Sequence, residues 1–147
     1  KWYDSTDTET ADALLPGQAM WYVRKGTAFD ITLAGQVKAG ATEIPVKAND
    51  MTMFSSPYPV AKAIQNLGIV NPVGGDAFAS ADNLYVWTST GYKVYYYGYW
   101  GDPENPSWDN KWYDSTDTET ADVLELGQAA WYVRKGAATT ISFSSPL

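Results

Sequence analysis

A chain of 147 residues with 45% apolar content has material for one ordinary domain and a real hydrophobic core. With 10 Lys and Arg against 17 Asp and Glu, the formal net charge of −7 opposes contact with nucleic-acid phosphates and anionic membrane surfaces, so no nucleic-acid partner is expected. The absence of cysteine and histidine removes disulfides, thiolate nucleophiles, imidazole bases and nearly every structural zinc geometry.

The chain opens on KWYDSTDTETADALLPGQAMWYVRKG, residues 1–26, which returns as KWYDSTDTETADVLELGQAAWYVRKG at 111–136 with 22 of 26 positions the same. Its second part, GQAxWYVRKG, predicts a strand ending at Gly26 or Gly136. A glycine there permits a tight return into ITL or ISF, a hairpin present twice. Residues 51–58 predict a strand stopped by Pro57 and Pro59, since proline donates nothing to a ladder. Val60, Ala63, Ile64 and Leu67 then mark one face of a short helix ending at Gly68.

LYVWTSTGYKVYYYGYW holds two runs of β-branched and aromatic residues around Thr88-Ser89-Thr90-Gly91, which predicts strands at 84–88 and 92–100 joined by a hairpin. On the second strand Tyr92, Val94, Tyr96 and Trp100 share one face and Tyr95, Tyr97 and Tyr99 the other, so both faces are expected to be covered. The whole is expected to be all-β, mainly an antiparallel sandwich or barrel-like, with one short helix and an internal duplication. Residues 1–47 read as the tail half of an incomplete first repeat with a connector, and 48–147 as a complete second repeat. On that division Lys1 begins inside a repeat. The two copies of the motif are expected in equivalent environments, because the same alternation buries the same face.

Aromatic residues make up 15% of the chain, more than a core alone asks for. Trp21, Trp112 and Trp131 are expected in the core with Trp2. A first copy without sheet partners ahead of it would instead leave Trp2 and Tyr3 at an open edge. These two, with Tyr95, Tyr97, Tyr99, Trp100 and Trp108, are the candidates for assembly or ligand contact. Trp100 and Trp108 flank the loop GDPENPSWDN, where a ring could stack on a sugar. The acidic residues Asp4, Asp7, Glu9 and Asp12, copied as Asp114, Asp117, Glu119 and Asp122, could offer oxygen ligands to Ca²⁺. They lack the glycine and the spacing of an EF-hand loop, and Thr-Asp density of this kind also builds ordinary polar turns, so no cofactor is expected. Nothing places two acids across a cleft as glycoside hydrolysis requires, and no residue set offers a nucleophile with an oriented base. No apolar run approaches the roughly 20 residues of a membrane span, so no membrane insertion is expected.

The runs PGQAMWYVRKGTAFDITLAGQV, TMFSSPYPVAKAIQNLGI, LYVW…GYKVYYY and GQAAWYVRKGAATTISF resemble a group of uncharacterised secreted β-rich half-repeat proteins of Verrucomicrobiota-like bacteria. The likeness covers most of residues 16–147. It implies an exported product, secreted or held at the cell surface, and no activity. Two functions follow as expectations. The first is a non-enzymatic structural protein whose open edge recruits another copy by strand addition, head to tail, into a filament or layer. The alternative is an adhesive or carbohydrate-binding module that meets a polysaccharide through exposed Trp and Tyr.

Overall fold

The computed structural model describes residues 2–3, 5–32 and 36–146. Among these residues nine strands follow in order: β1 (Thr42–Val46), β2 (Met51–Ser55), β3 (Lys62–Ala63), β4 (Asn83–Thr88), β5 (Gly91–Gly98), β6 (Lys111–Asp114), β7 (Val123–Leu124), β8 (Ala129–Val133) and β9 (Thr139–Phe143). The protein is all-β. A five-stranded antiparallel sheet runs β2-β8-β4-β5-β6, and two ribbons, β1-β9 and β3-β7, complete the set. No barrel closes.

Alternation explains the layers. In β1 Thr42, Ile44 and Val46 point inward while Glu43 and Pro45 face out. Pro45 is tolerated because β1 pairs only with β9 and has a free edge. β9 buries Ile141 and Phe143, β8 buries Ala130 and Tyr132, and these join Phe54, Leu84, Val86, Tyr95 and Trp112 in one core between the β1-β9 ribbon and the inner face of the large sheet. The opposite face of β5 carries a smaller cluster of Ala81, Tyr96 and Tyr113, with Trp100 against it.

The β4–β5 hairpin forms as expected. Thr88 pairs with Gly91 across Ser89-Thr90, and Gly91 takes a φ of 129°. Both faces of β5 are covered at its middle by this chain: Tyr95 and Tyr96, adjacent in sequence and on opposite faces, are each buried, while Tyr92 and Tyr99 stay exposed.

Three expectations are corrected. The helix over 60–67 is instead the two-residue strand β3 followed by a single 3-10 turn, Ile64–Asn66. The GQAAWYVRKG strand does not fold back on ISF. β8 lies in the large sheet while β9 crosses to pair with β1, so 134–138 is an arch between layers rather than a hairpin. Gly136 is needed there for closeness, since a Cβ would stand 2.7 Å from Val73 Cγ2. The two copies do not share an environment either, because the described residues of the first copy form no strand of any sheet.

One property of the pairing organises the rest. Every ladder except the β4–β5 hairpin joins a strand of residues 42–98 to a strand of residues 111–143: β1 to β9, β2 and β4 to β8, β3 to β7, β5 to β6. The molecule is a front half and a back half zipped together, and the back half is the second copy with its closing strand.

Candidate functional site: a slot for the duplicated segment

The front half forms a slot, and β8 lies deepest in it, between β2 and β4. Ala130 faces Phe54 on one neighbour and Val86 on the other; Tyr132 faces Thr52 and Leu84. An extended segment so held satisfies its backbone on both edges and buries alternate side chains, the logic of donated strands in general.

A buried carboxylate ties the back half to the front half. Asp82 is fully buried, and four donors converge on it: the Tyr132 hydroxyl, Arg134 Nη1 at 2.7 Å, the Lys135 amide at 2.7 Å and the Val73 amide at 2.8 Å. The first three come from the back half. Arg134, itself buried, also donates to Asn71 O at 2.9 Å and Ala137 O at 2.7 Å. A buried ion pair is tolerable when its remaining hydrogen-bonding capacity is filled, and here it is. Burial, and then the Asp82 carboxylate, hold the Tyr132 hydroxyl well above the usual tyrosine range. Among the described residues no buried side-chain nitrogen or oxygen lacks a partner.

A second recognition point is Gln65, on the 3-10 turn. Its amide donates to Trp112 O at 2.8 Å and Thr120 O at 3.2 Å, and its oxygen accepts from the Trp112 amide at 2.9 Å. At the rim, β5 presents Tyr95, which donates to Asp122 at 2.7 Å, and Tyr96, which donates to Asp117 at 2.7 Å. The Tyr95 hydroxyl and then Lys93, 3.0 Å away, hold the Asp122 carboxyl below its usual range.

The first copy carries the same turns and lacks the same partners. Thr10 N donates to Trp2 O at 3.0 Å, and Thr120 N to Trp112 O at 3.0 Å. Asp7 and Asp117 both adopt left-handed backbone, φ 58° and 59°, under matching bridges from Tyr3 to Glu9 and from Tyr113 to Glu119. Gly17 and Gly127 both close turns at positive φ, 84° and 72°, with Gln18 and Gln128 capping the residue three before. Arg24 Nε and Arg134 Nε each reach the carbonyl three residues on. Exposure separates them: Trp2, Tyr22 and Ile31 are 66%, 38% and 56% exposed, where Trp112, Tyr132 and Ile141 are 3%, 0% and 0%. The local fold of the segment is preset by its own sequence; its sheet partners are not.

The first copy rests against the outside of the body. Gln18 bridges to Phe54 along the edge of β2 that β8 leaves free, Gly17 O accepts from the Ser55 amide at 3.0 Å, and Trp21 packs edge-on against Trp87. Leu14, Met20, Tyr58 and Leu126 line a shallow groove between the two.

Of the contact residues named from sequence, Trp2, Tyr3, Tyr99 and Trp108 are exposed, Tyr97 and Trp100 are half-buried, and Tyr95 is sealed in the core, which removes it from any surface. Trp2 and Trp21, expected in the core, lie outside it, and Trp131, also expected there, is only half-buried. Tyr99 and Trp108 belong to the loop after β5, while Trp2 and Tyr3 belong to the first copy. Asp4 lies outside the described residues. The described acids form no group able to hold a metal ion. Asp114 instead accepts from Thr116 N, Thr116 Oγ1 and Thr118 N, Asp117 from Tyr96, and Glu119 from Lys111 at 2.6 Å. Asp7 and Glu9 occupy the corresponding turn of the first copy. No helix among the described residues is long and apolar enough to cross a membrane.

Sequence reasoning missed Asp82, Gln65, Ala130 and the buried role of Arg134. One signal was available: the chain's two arginines both interrupt an apolar Trp-Tyr-Val run at the same repeat position. A cation there calls for a buried carboxylate. Comparison of the chain with family models, curated proteins and solved structures gave no match.

Proposed function

We propose that the chain is a non-enzymatic structural protein, exported to the cell surface, that assembles with other copies of itself by strand addition. The first copy is the donor, and the slot is the front half of a neighbour whose own β8 has been released from between β2 and β4. One observation carries this reading: the described residues of 2–32 keep the local turns of a segment that is buried elsewhere in the same chain, yet expose side chains that segment buries. An exposed, preset donor with a known complementary slot is the chemistry of head-to-tail growth. Unlike surfaces meet, so the contact need not close into a ring.

Sedimentation velocity at rising concentration tests it. The intact chain is expected to gain mass with concentration. Tyr22→Asp, an exposed substitution that leaves the single chain intact, is expected to stay monomeric because its donor cannot bury a charge opposite a core leucine. An intact chain that remains monomeric at high concentration overturns the proposal.

A second reading, contact with a polysaccharide, is favoured by Tyr99 and Trp108, both exposed on the loop after β5. It calls for a tryptophan fluorescence change on adding polysaccharide that Trp108→Ala abolishes.

A further inference from the structure

The slot is single and the donors are two. We propose that the copies compete for it within one chain, and that the side chain at position 20 in the first and 130 in the second decides which is taken. The inference rests on the strand-addition reading, since it requires the first copy to fit the slot.

Geometry permits the exchange. Phe143, at the end of the donor, pairs with Thr42 at the start of β1. Its counterpart by repeat spacing is Leu33, nine residues ahead of Thr42. The intervening chain is therefore short enough to join a first copy seated in the slot to β1 as an ordinary antiparallel connection. The donor would precede its acceptor instead of following it, a circular permutation of the same fold.

Chemistry supplies the discrimination. Within 1–26 and 111–136 the copies differ at four positions. Three of them, Val123, Glu125 and Leu126 in the second copy, are solvent-facing, so their counterparts Ala13, Leu15 and Pro16 cost the slot little. The fourth is different. Ala130 is 1% exposed, pinned between Phe54 and Val86, and the first copy carries Met20 there. Three extra heavy atoms in a filled core force neighbouring side chains off their rotamers. Asp82 does not discriminate, because Tyr22, Arg24 and Lys25 repeat Tyr132, Arg134 and Lys135.

The test is hydrogen exchange with mass spectrometry on the full chain. In the native sequence, amides of 129–133 are expected to be protected and those of 19–23 to exchange freely. Exchanging the two side chains, Met20→Ala with Ala130→Met, is expected to move protection to 19–23. Met20→Ala alone touches only an exposed residue, so the observed fold survives it. That variant is expected to raise the share of chains with 129–133 released by about tenfold, the scale of relieving one overpacked methionine. Protection that stays on 129–133 in both variants, while Tyr22→Asp still abolishes assembly, overturns the competition and leaves strand addition standing. Protection that stays put while Tyr22→Asp leaves sedimentation unchanged overturns both.

Discussion

At the scale of single residues, duplication supplies an internal control. Arg134 and Arg24 sit at the same repeat position, but only Arg134 faces a buried carboxylate, whereas Arg24 lies exposed over the Phe29 ring with its Nε on Thr27 O. Breaking a buried pair strands the remaining charge, so Arg134→Ala is expected to cost about 3–5 kcal/mol in urea unfolding. Arg24→Ala is expected to stay within about 0.5 kcal/mol. Equal effects would mean the copies share one environment after all. Titration gives another residue-scale expectation. Burial, helped by hydrogen bonds to Asp122, Asp117 and Asp82, raises Tyr95, Tyr96 and Tyr132 above their unfolded value near 10. The unfolded chain therefore gives up these protons first. Their contribution to stability is complete below about pH 10 and declines as pH rises past it, so the urea midpoint should fall on the alkaline side in step with tyrosinate absorbance. Asp122 has the opposite sign: its carboxyl is held low, so its contribution is present above about pH 4 and lost in acid.

At the scale of elements, legibility followed the range of the interaction. The β4–β5 hairpin could be read because its turn and both strands lie within seventeen consecutive residues, and Gly91 alone supplies the unusual dihedral. The helix over 60–67 misled because Val60, Ala63, Ile64 and Leu67 have helical spacing, yet Ala63 pairs across the chain with Val123 and Val60 stays exposed. A partner sixty residues away overrode local periodicity. The β8–β9 hairpin failed similarly: glycine at 136 suits a turn, but the approach of Val73 is what demands it, and no local pattern announces Val73. β1 went unread because Pro45 argues against a strand until its free edge is known. The contact residues fared by the same rule. Exposure of Trp108 was legible from its polar loop, whereas the setting of Tyr95 depended on Asp122, twenty-seven residues on, to which its hydroxyl donates. The identity of the slot could not be read at all, since sequence alone assigns one environment to two nearly identical segments.

At the scale of the whole molecule, the halves are held together by ladders rather than by the chain between them. The connector passes through the exposed Pro103-Glu104 corner. Cutting it there with an inserted protease site is expected to leave both halves co-eluting in native size-exclusion chromatography, because five of the six ladders cross from one half to the other. Separation of the fragments without denaturant would show that covalent continuity, not pairing, maintains the fold. The same division locates the free edges of the molecule: β2 and β6 end the large sheet, and β2 is the edge on which the first copy rests at Gln18. An edge so occupied is shielded from indiscriminate pairing.

The zipped architecture has a consequence in time. Residues 42–98 leave the ribosome before residues 111–143 exist, and at about 5–20 residues per second the shortfall amounts to several seconds. Over that interval the front half has its hairpin, its buried-to-be Asp82 and an open slot, while a segment bearing Tyr22, Arg24 and Lys25 is already tethered beside it. If the two copies compete for the slot, the first would shelter the nascent core provisionally, until Ala130 arrives to take its place.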